Sequence, residues 1–227
     1  MRRIAILGAL GRELKYIKDK INITKTMEIK GYRFSQGYFM NLEIILGITS
    51  VGKVNATLCT EILINNFSPD FIINTGIAGA MIDKTEILDL VIAESVTYHD
   101  VEEYILTGVF PFISVFPSDN LLIEKAKEAS NMWNESNKIY TGKIISGDSF
   151  ISSKEEKSNL LAKFDPLCVE MEGGAIAHTC YINRIPFIEI RSISDKADDS
   201  ARELYKKNEV PAANKAGEFI IHYFQFL

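Results

Sequence analysis

The chain has 227 residues, 47% of them hydrophobic, with 25 basic against 30 acidic residues and a formal charge of -5. This content suffices for one sizeable core, and no segment has the composition of a linker, so we expect a single domain over residues 1–227. The acidic balance, without a long basic run, excludes a nucleic-acid partner and favours a small molecule.

Neither the N-terminal residues nor any apolar stretch of the chain predicts an association with a membrane. Two basic residues precede a short apolar run at the N-terminus, but this run is too short for a signal peptide. No apolar stretch approaches the roughly 20 residues that span a bilayer. Cys59, Cys168 and Cys180 are too few for a disulfide framework and lack metal-ligand spacing. We therefore expect a cytoplasmic protein with no metal site.

Hydrophobic periodicity in the first half predicts alternating strands and helices. In the first helix, for example, Leu14, Ile17 and Ile21 fall on one face. The predicted elements are a strand over 4–7, a helix over 12–21, antiparallel strands within 27–49, a helix that follows Gly52 and continues to about Asn66, a strand over 71–74 and a strand over 88–97.

The second half repeats the alternation with short connections. The predicted elements are a helix over 118–135 capped by Ser118 and Asp119, a strand over 139–145, a helix over 152–164, a strand over 167–171, a helix over 173–182, a strand over 187–192 and a closing helix after Pro211. This order predicts an α/β fold with a mixed sheet. In such folds the ligand lies at the carboxyl ends of the strands.

The first strand-to-helix turn, over residues 8–13, ends in an acidic residue. Free backbone N–H groups at a helix start favour an anion, but the turn lacks the G-x-G-x-x-G spacing and Glu13 would repel a phosphate. Glu13 is either a helix-start carboxylate that interacts with the helix dipole or a residue of a site at the end of the strand.

Two glycine-containing segments follow apolar strands. Taken alone, the segment from Asn74 to Ala80 is predicted to be a flexible turn. Its small residues would let a ligand approach the backbone closely. Ser146 to Ile151 adds Phe150, which is either a core residue or a ring that stacks on a planar base.

Two acid motifs close the last two strands. Glu170 and Glu172 share a strand face by parity, and the sequence alone does not choose between them as the one that binds a ligand. A carboxylate can accept hydrogen bonds from two adjacent sugar hydroxyls. Asp195 is either a helix cap or a buried acid for which Arg191 and Ser194 supply a cation and a hydroxyl.

Taken in order, these segments resemble the nucleoside phosphorylase superfamily, and most closely its 5'-methylthioadenosine/S-adenosylhomocysteine nucleosidases. The matching pieces are 6–9 with Glu13, 74–79, 98–100, 146–151, 169–172 with 175–178, and 191–195. The resemblance implies one three-layer α/β/α domain with a central mixed, twisted sheet. It also implies a homodimer and irreversible hydrolysis of an N-glycosidic bond by water, which releases adenine from a 5'-substituted adenosine without a cofactor.

The resemblance assigns the acid and base roles. Asp195 would protonate adenine at N7, with Ser194 orienting its carboxyl group, and Glu13 would deprotonate the attacking water. This division of labour parallels that of glycosidases.

The resemblance gives the remaining residues binding roles. Glu172 would hold the 2'- and 3'-hydroxyls, Met171 would pack against the sugar, Phe150 would stack on adenine and the backbone of Ile151 would read the edge of the base. Ala78, Gly79 and Arg191 complete the expected substrate-binding set.

Two segments depart from the family pattern. Residues 101–118 look shorter and lack a Gly/Tyr/Pro-rich run, so preference among 5' substituents stays open; in relatives this region forms part of the 5' pocket together with a dimer partner. Residues 196–211 also differ, so the sequence does not predict whether a helix closes over the base.

Two alternative functions are considered. One is a phosphate-dependent phosphorylase, which is disfavoured because residues 75–79 carry no arginine, and the other is a nucleoside-binding protein without turnover.

Overall fold

The computed structural model describes residues 2–227. Over these residues ten strands form one mixed sheet. The strands are β1 (Arg2–Gly8), β2 (Asn22–Ile29), β3 (Tyr32–Phe39), β4 (Leu42–Ile48), β5 (Phe71–Ala80), β6 (Leu90–Tyr98), β7 (Val115–Pro117), β8 (Ile139–Ser146), β9 (Cys168–Glu170) and β10 (Phe187–Asp195).

Seven α-helices and a short terminal 3-10 helix, Phe224–Phe226, complete the described chain. The helices are α1 (Gly11–Lys20), α2 (Lys53–Phe67), α3 (Glu103–Gly108), α4 (Asn120–Asn131), α5 (Lys154–Phe164), α6 (Gly173–Asn183) and α7 (Ala201–Tyr223). Among them, none is both long and apolar enough to cross a lipid bilayer.

The sheet closes partly on itself. Its strand order is β10-β6-β8-β9-β5-β1-β4-β3-β2, and β10 also pairs with β5. Strands β5, β10, β6, β8 and β9 therefore form a closed ring, while β1 to β4 extend from β5 as an open, twisted wing. The pairings β1 with β4, β1 with β5 and β5 with β10 are parallel, so these strands deliver their carboxyl ends to one edge.

The two faces of β1 explain the layers of the fold. Ala5 and Leu7 pack into a core shared with α2 and α6, whereas Ile4 and Ile6 pack into a core shared with α1, α4 and α7. Alternation with a period of two is what a strand buried on both faces requires. The α/β fold with a mixed sheet and flanking helices is thus confirmed.

The closing helix begins earlier than predicted. It starts at Ala201, and Pro211 lies inside it. Proline usually begins a helix because it has no N–H to donate. Here the buried residues Ala212, Ala216 and Phe219 pack on the sheet and α1, so tertiary packing outweighs one lost hydrogen bond. The polar first half of α7 has no apolar stripe that the sequence could reveal.

Residues 74–80, predicted as a flexible turn, belong to β5. Strand β10 pairs with β5 as far as Gly79, and β9 pairs with Gly79 and Ala80 from the other side. Pairing with β10 over residues 74–79 and with β9 at residues 79 and 80 holds these small residues in an extended conformation, so they line the end of the sheet as a fixed strand.

The segment that departs from the family pattern contains elements that were not predicted. Helix α3 and strand β7 both lie in it, and Phe116 of β7 is buried while Tyr104, Phe110 and Phe112 are exposed. Several predicted boundaries also shift by two residues or more; for example, β6 begins at Leu90 instead of Leu88, and α4 ends at Asn131 instead of residue 135.

Candidate active site

A cavity of about 440 Å³ opens where β1, β5, β9 and β10 end. Nine of the ten residues predicted for the site line it, which are Glu13, Ala78, Gly79, Phe150, Ile151, Met171, Glu172, Ser194 and Asp195. The tenth residue, Arg191, is not among the described residues that line the cavity. Residues that the sequence did not single out also contribute, namely Val51 and, from α7, Arg202, Tyr205 and Lys206.

Glu13 is held at both of its carboxylate oxygens by backbone groups. Oε2 accepts a hydrogen bond from the N–H of Leu10 (2.8 Å), and Oε1 accepts one from Ile77 on β5 (3.2 Å). Both readings of Glu13 therefore hold, since it caps the start of α1 and also lines the cavity. Burial raises the pKa of Glu13, while the nearby Arg191 charge and the two N–H groups act to lower it.

Gly76 leaves the space that Glu13 needs. A Cβ atom at this position would lie 2.4 Å from Glu13 Oε1 and 2.3 Å from Nη1 of Arg191. The same backbone also has a φ of +155°. The glycine predicted as a point of close approach thus accommodates two charged side chains of the protein itself.

Asp195 ends β10 on the cavity wall. Its Oδ2 accepts a hydrogen bond from the Ser194 hydroxyl (2.8 Å), as the sequence predicted, and its Oδ1 accepts one from the N–H of Ala197 (2.9 Å). Burial raises the pKa of Asp195 despite these two donors. Gly79 makes room for the carboxyl group, because a Cβ there would lie 2.9 Å from Oδ1.

The structure separates the two glutamates that strand parity left equivalent. Glu170 accepts hydrogen bonds from the N–H groups of Glu172 (2.8 Å) and Gly173 (2.7 Å) at the start of α6, and it pairs with Arg191. Glu172 instead accepts the N–H of Gly52 on one oxygen (2.8 Å), and its other oxygen lies 4.0 Å from Arg191. Burial, aided by the Glu170 charge, raises the pKa of Glu172 to about 8. Glu172 is the acid with binding capacity left.

Arg191 lies behind the cavity wall. Its Nε donates to Glu189 (2.6 Å) and its Nη2 to Glu170 (2.5 Å), and its side chain is 1% exposed. It does not line the cavity, and its side chain has no described contact with Asp195, because Glu170 and Glu189 bind the guanidinium instead. Burial disfavours its charge, but the surrounding glutamates outweigh burial and raise its pKa.

Aromatic groups form another part of the cavity lining. The ring of Phe150 lies edge-on to Tyr205 of α7 with 5.6 Å between centroids, and the Arg202 guanidinium lies 5.4 Å from the Phe150 centroid. Phe150 is only half-buried, so one part of its ring is available to the cavity. Within residues 2–227, no group of three or more His, Cys, Asp and Glu side chains could hold a metal ion.

The fold and cavity together define a class of protein. Three buried acids with raised pKa values, one of which has a free side, and a partly exposed ring line one small cavity at the end of a mixed sheet. These side chains are typical of an enzyme that performs acid–base chemistry on a small ring-containing molecule with hydroxyl groups.

Comparison with known proteins identifies the family. The model of the phosphorylase superfamily matches residues 3–225. A 5'-methylthioadenosine/S-adenosylhomocysteine nucleosidase of Staphylococcus carnosus is 35% identical over 99% of this chain and 100% of its own. The chain therefore belongs to the phosphorylase superfamily and, within it, to these nucleosidases, which are N-glycosidic hydrolases.

Solved structures agree with this assignment. The nucleosidase of Neisseria meningitidis, solved with methylthio-immucillin-A, superposes with a TM-score of 0.94 and 30% identity over all of both chains. A futalosine hydrolase of Helicobacter pylori gives a TM-score of 0.92 and 30% identity over 100% of this chain and 98% of its own. Proteins named for different substrates thus share this architecture.

The raised pKa of Glu172 makes stability depend on pH. Between the unfolded value near 4.5 and the folded value of about 8, the folded chain keeps a proton that the unfolded chain releases, so stability falls as the pH rises. We expect the free energy of unfolding to fall from about pH 5 to about pH 8, and to fall less steeply in Glu172→Gln, which cannot ionise. Urea denaturation at several pH values in this range measures the free energy of unfolding of both proteins. If it falls equally steeply with pH in the wild type and in Glu172→Gln, the raised pKa of Glu172 is contradicted.

Proposed function

We propose that the protein hydrolyses the N-glycosidic bond of 5'-methylthioadenosine, S-adenosylhomocysteine and related 5'-substituted adenosines, releasing adenine. The observation that carries this proposal is that Glu13 and Asp195, from opposite ends of the chain, line the same cavity and both have a raised pKa. Cleavage of a glycosidic bond needs one acid for the leaving group and one base for water.

Asp195 is the proposed acid. Its protonated carboxyl group transfers a proton to N7 of adenine as the bond between N9 and C1' breaks, so the base leaves as a neutral molecule. A raised pKa keeps this proton available near neutral pH. The Ser194 hydroxyl and the Ala197 N–H fix the carboxyl group in one orientation.

Glu13 is the proposed base. Its carboxylate accepts a proton from water while the water oxygen bonds to C1', which carries positive charge in an oxocarbenium-like transition state. Backbone N–H groups of Leu10 and Ile77 hold both carboxylate oxygens. Ala78 and Gly79 leave space for water and the ribose beside them.

The proposed binding roles follow the remaining lining of the cavity. Glu172 accepts hydrogen bonds from the 2'- and 3'-hydroxyls, because Glu170 rather than Glu172 occupies the amides of α6. Met171 packs against the sugar, Phe150 stacks on adenine and the Ile151 backbone reads the edge of the base. Tyr205 and Arg202 of α7 back the Phe150 ring.

Charge near Glu13 supports hydrolysis over phosphorolysis. The Arg12 guanidinium, the cation next to it in sequence, pairs with Glu209 (2.9 Å) and donates to Tyr205 (2.8 Å). Arg191 is engaged by Glu170 and Glu189. An entering phosphate would thus face the Glu13 carboxylate with Arg12 and Arg191 already paired, and the other cations of the cavity lining, Arg202 and Lys206, lie on α7.

We further propose a homodimer. The proposed interface is a set of exposed apolar side chains that lie on or next to α2, in 104–115 and at the end of α6. We call this set the apolar surface. They are Val51, Val54, Leu58, Tyr104, Ile105, Val109, Phe110, Phe112, Val115, Tyr181 and Ile182. Helices α2 and α6 are in contact, and α6 contacts β7. Val51 also lines the cavity, so a partner here would border the 5' end of a substrate.

The location and the pathway complete the proposal. We place the reaction in the cytoplasm, as a step of methionine salvage. The support for the pathway is the methylthioadenosine named for the curated relatives.

The decisive measurement is adenine release in phosphate-free buffer. We expect the purified protein to release adenine from 5'-methylthioadenosine without phosphate, since water is the proposed nucleophile, and to leave inosine largely intact. A strict need for phosphate would identify a phosphorylase instead. Binding without release would identify a nucleoside-binding protein.

Conservative variants test the two acid-base roles. Glu13→Gln and Asp195→Asn should each reduce kcat by roughly 100-fold or more while the chain still folds, because each keeps the shape and removes the proton transfer. Steady-state kinetics with circular dichroism as the folding check measures this. Near-normal turnover in either variant refutes that residue's role, and a pH–rate profile without a basic limb below about pH 9 refutes Asp195 as the acid.

A charge placed on the apolar surface tests the homodimer. Val54 and Leu58 are 70% and 51% exposed, and the double change to Asp should convert a dimer into a monomer because it buries two charges at an interface. Sedimentation equilibrium measures the mass. Leu121→Asp is the matched control, since Leu121 is 54% exposed on α4, outside this surface. A wild-type monomer, or a variant that stays dimeric, contradicts the proposal.

A further inference from the structure

Glu189 is a buried acid that none of the proposed roles uses. It lies in the middle of β10 with 0% exposure and is absent from the described residues that line the cavity. An acid in such a place is costly unless its neighbours satisfy it. Its contacts therefore indicate what it does.

One carboxylate oxygen of Glu189 joins two side chains. Oε1 accepts the Nε–H of Arg191 (2.6 Å), two residues further along the same face of β10, and the amide of Asn74 (2.9 Å), its direct partner in register on β5. The other oxygen, Oε2, has no hydrogen-bond partner. Glu189 thus fixes the Nε edge of the Arg191 guanidinium.

Gly173 gives the carboxyl group its place. A Cβ at residue 173 would lie 2.2 Å from Oε2 and 2.5 Å from Oε1 of Glu189. The first residue of α6 is therefore a glycine against which the acid packs directly. Close packing of this kind leaves Glu189 little freedom to move away from Arg191.

The position of Arg191, which Glu189 fixes, affects two sides of the cavity. Its Nη2 pairs with Glu170, whose other hydrogen bonds hold the backbone N–H groups of Glu172 and Gly173. Its Nη1 lies beside Gly76, the residue against which Glu13 Oε1 also lies. One guanidinium thus borders both the proposed base and the proposed ribose-binding acid.

We propose that Glu189 is a positioning residue for the hydrolysis: by fixing Arg191 it holds Glu13 and Glu172 in their working positions, while the base side of the cavity does not depend on it. Asp195 and Phe150 receive no hydrogen bond from Glu189 or Arg191 among the described residues. This inference rests on the proposed function.

The charges around Glu189 are compatible with this role. The groups that face it are Arg191 on its own strand, Cys168 and Glu170 on β9, and Glu172 before α6. Burial raises the pKa of Glu189 to about 8, with the Glu170 charge adding to burial and Arg191 opposing both. A neutral glutamine that keeps the Oε1 acceptor is therefore a close mimic near pH 7.

Three substitutions at residue 189 test the proposal. Glu189→Met removes the acceptor at similar volume, Glu189→Asp keeps the carboxyl group but shortens the reach to Arg191, and Glu189→Gln keeps the acceptor. We expect kcat for adenine release to fall about 10-fold or more in the Met and Asp variants and to stay within about 3-fold of wild type in the Gln variant.

Ligand binding separates the two sides of the cavity. By calorimetry, affinity for methylthio-immucillin-A should fall about 10-fold or more in the Met and Asp variants, while affinity for adenine alone should stay within about 2-fold. A merely structural loss would reduce both affinities. If Glu189→Met does not fold, the comparison of Glu189→Asp with Glu189→Gln decides whether Glu189 is a positioning residue.

Glu43→Met is the matched control. Glu43 on β4 is also buried and pairs with an arginine, Arg3 (2.9 Å), away from the cavity. Its loss should lower stability and leave kcat unchanged. The proposal is overturned if Glu189→Asp retains kcat and analogue affinity, if adenine affinity falls equally, or if Glu43→Met has the same kinetic effect.

The same experiment keeps the two proposals apart. A wild-type protein that binds the analogue but releases no adenine refutes the proposed function, and the analogue affinities of the variants still decide the role of Glu189. A wild-type protein that binds neither ligand overturns both.

Discussion

The buried guanidinium of Arg191 is the interaction on which the rest of the site depends. Four glutamates surround it, Glu13, Glu170, Glu172 and Glu189, and carboxyl groups this close together repel one another unless a cation lies between them. Two of them, Glu172 and Glu189, have a pKa raised to about 8. The cation and the retained protons together allow four acids to occupy one buried region, where packing fixes the orientation of each.

The ring of strands brings distant residues to this cation. Strand β5 pairs with β1, β9 and β10, so the segments that carry Glu13, Glu172 and Asp195 end beside one another although they are far apart in sequence. Small residues at the end of β5 then allow close approach of the neighbouring side chains. Fixed strands on rigid pairings hold such side chains more precisely than loops do.

The sequence predicted most of this arrangement because its signals are local. Apolar runs located β1, the first part of β5 and β10, and the ordered motifs of the family resemblance supplied the ten expected residues, nine of which line the cavity. Three features escaped because their causes lie in tertiary contacts. Helix α7 extends before Pro211 since buried packing further along outweighs the proline, Arg191 has no described contact with Asp195 because Glu170 and Glu189 bind it, and the strand-like residues 74–80 resemble a turn until their partners are known.

The contact between Gly173 and Glu189 restricts how this site could change during evolution. An acid at residue 189 fits only while residue 173 has no side chain, because any Cβ there would overlap both carboxylate oxygens. An acid that occupies this position therefore depends on glycine at residue 173. Once both are present, neither can be exchanged alone for a larger or differently shaped residue without cost, so the pair is expected to be inherited together.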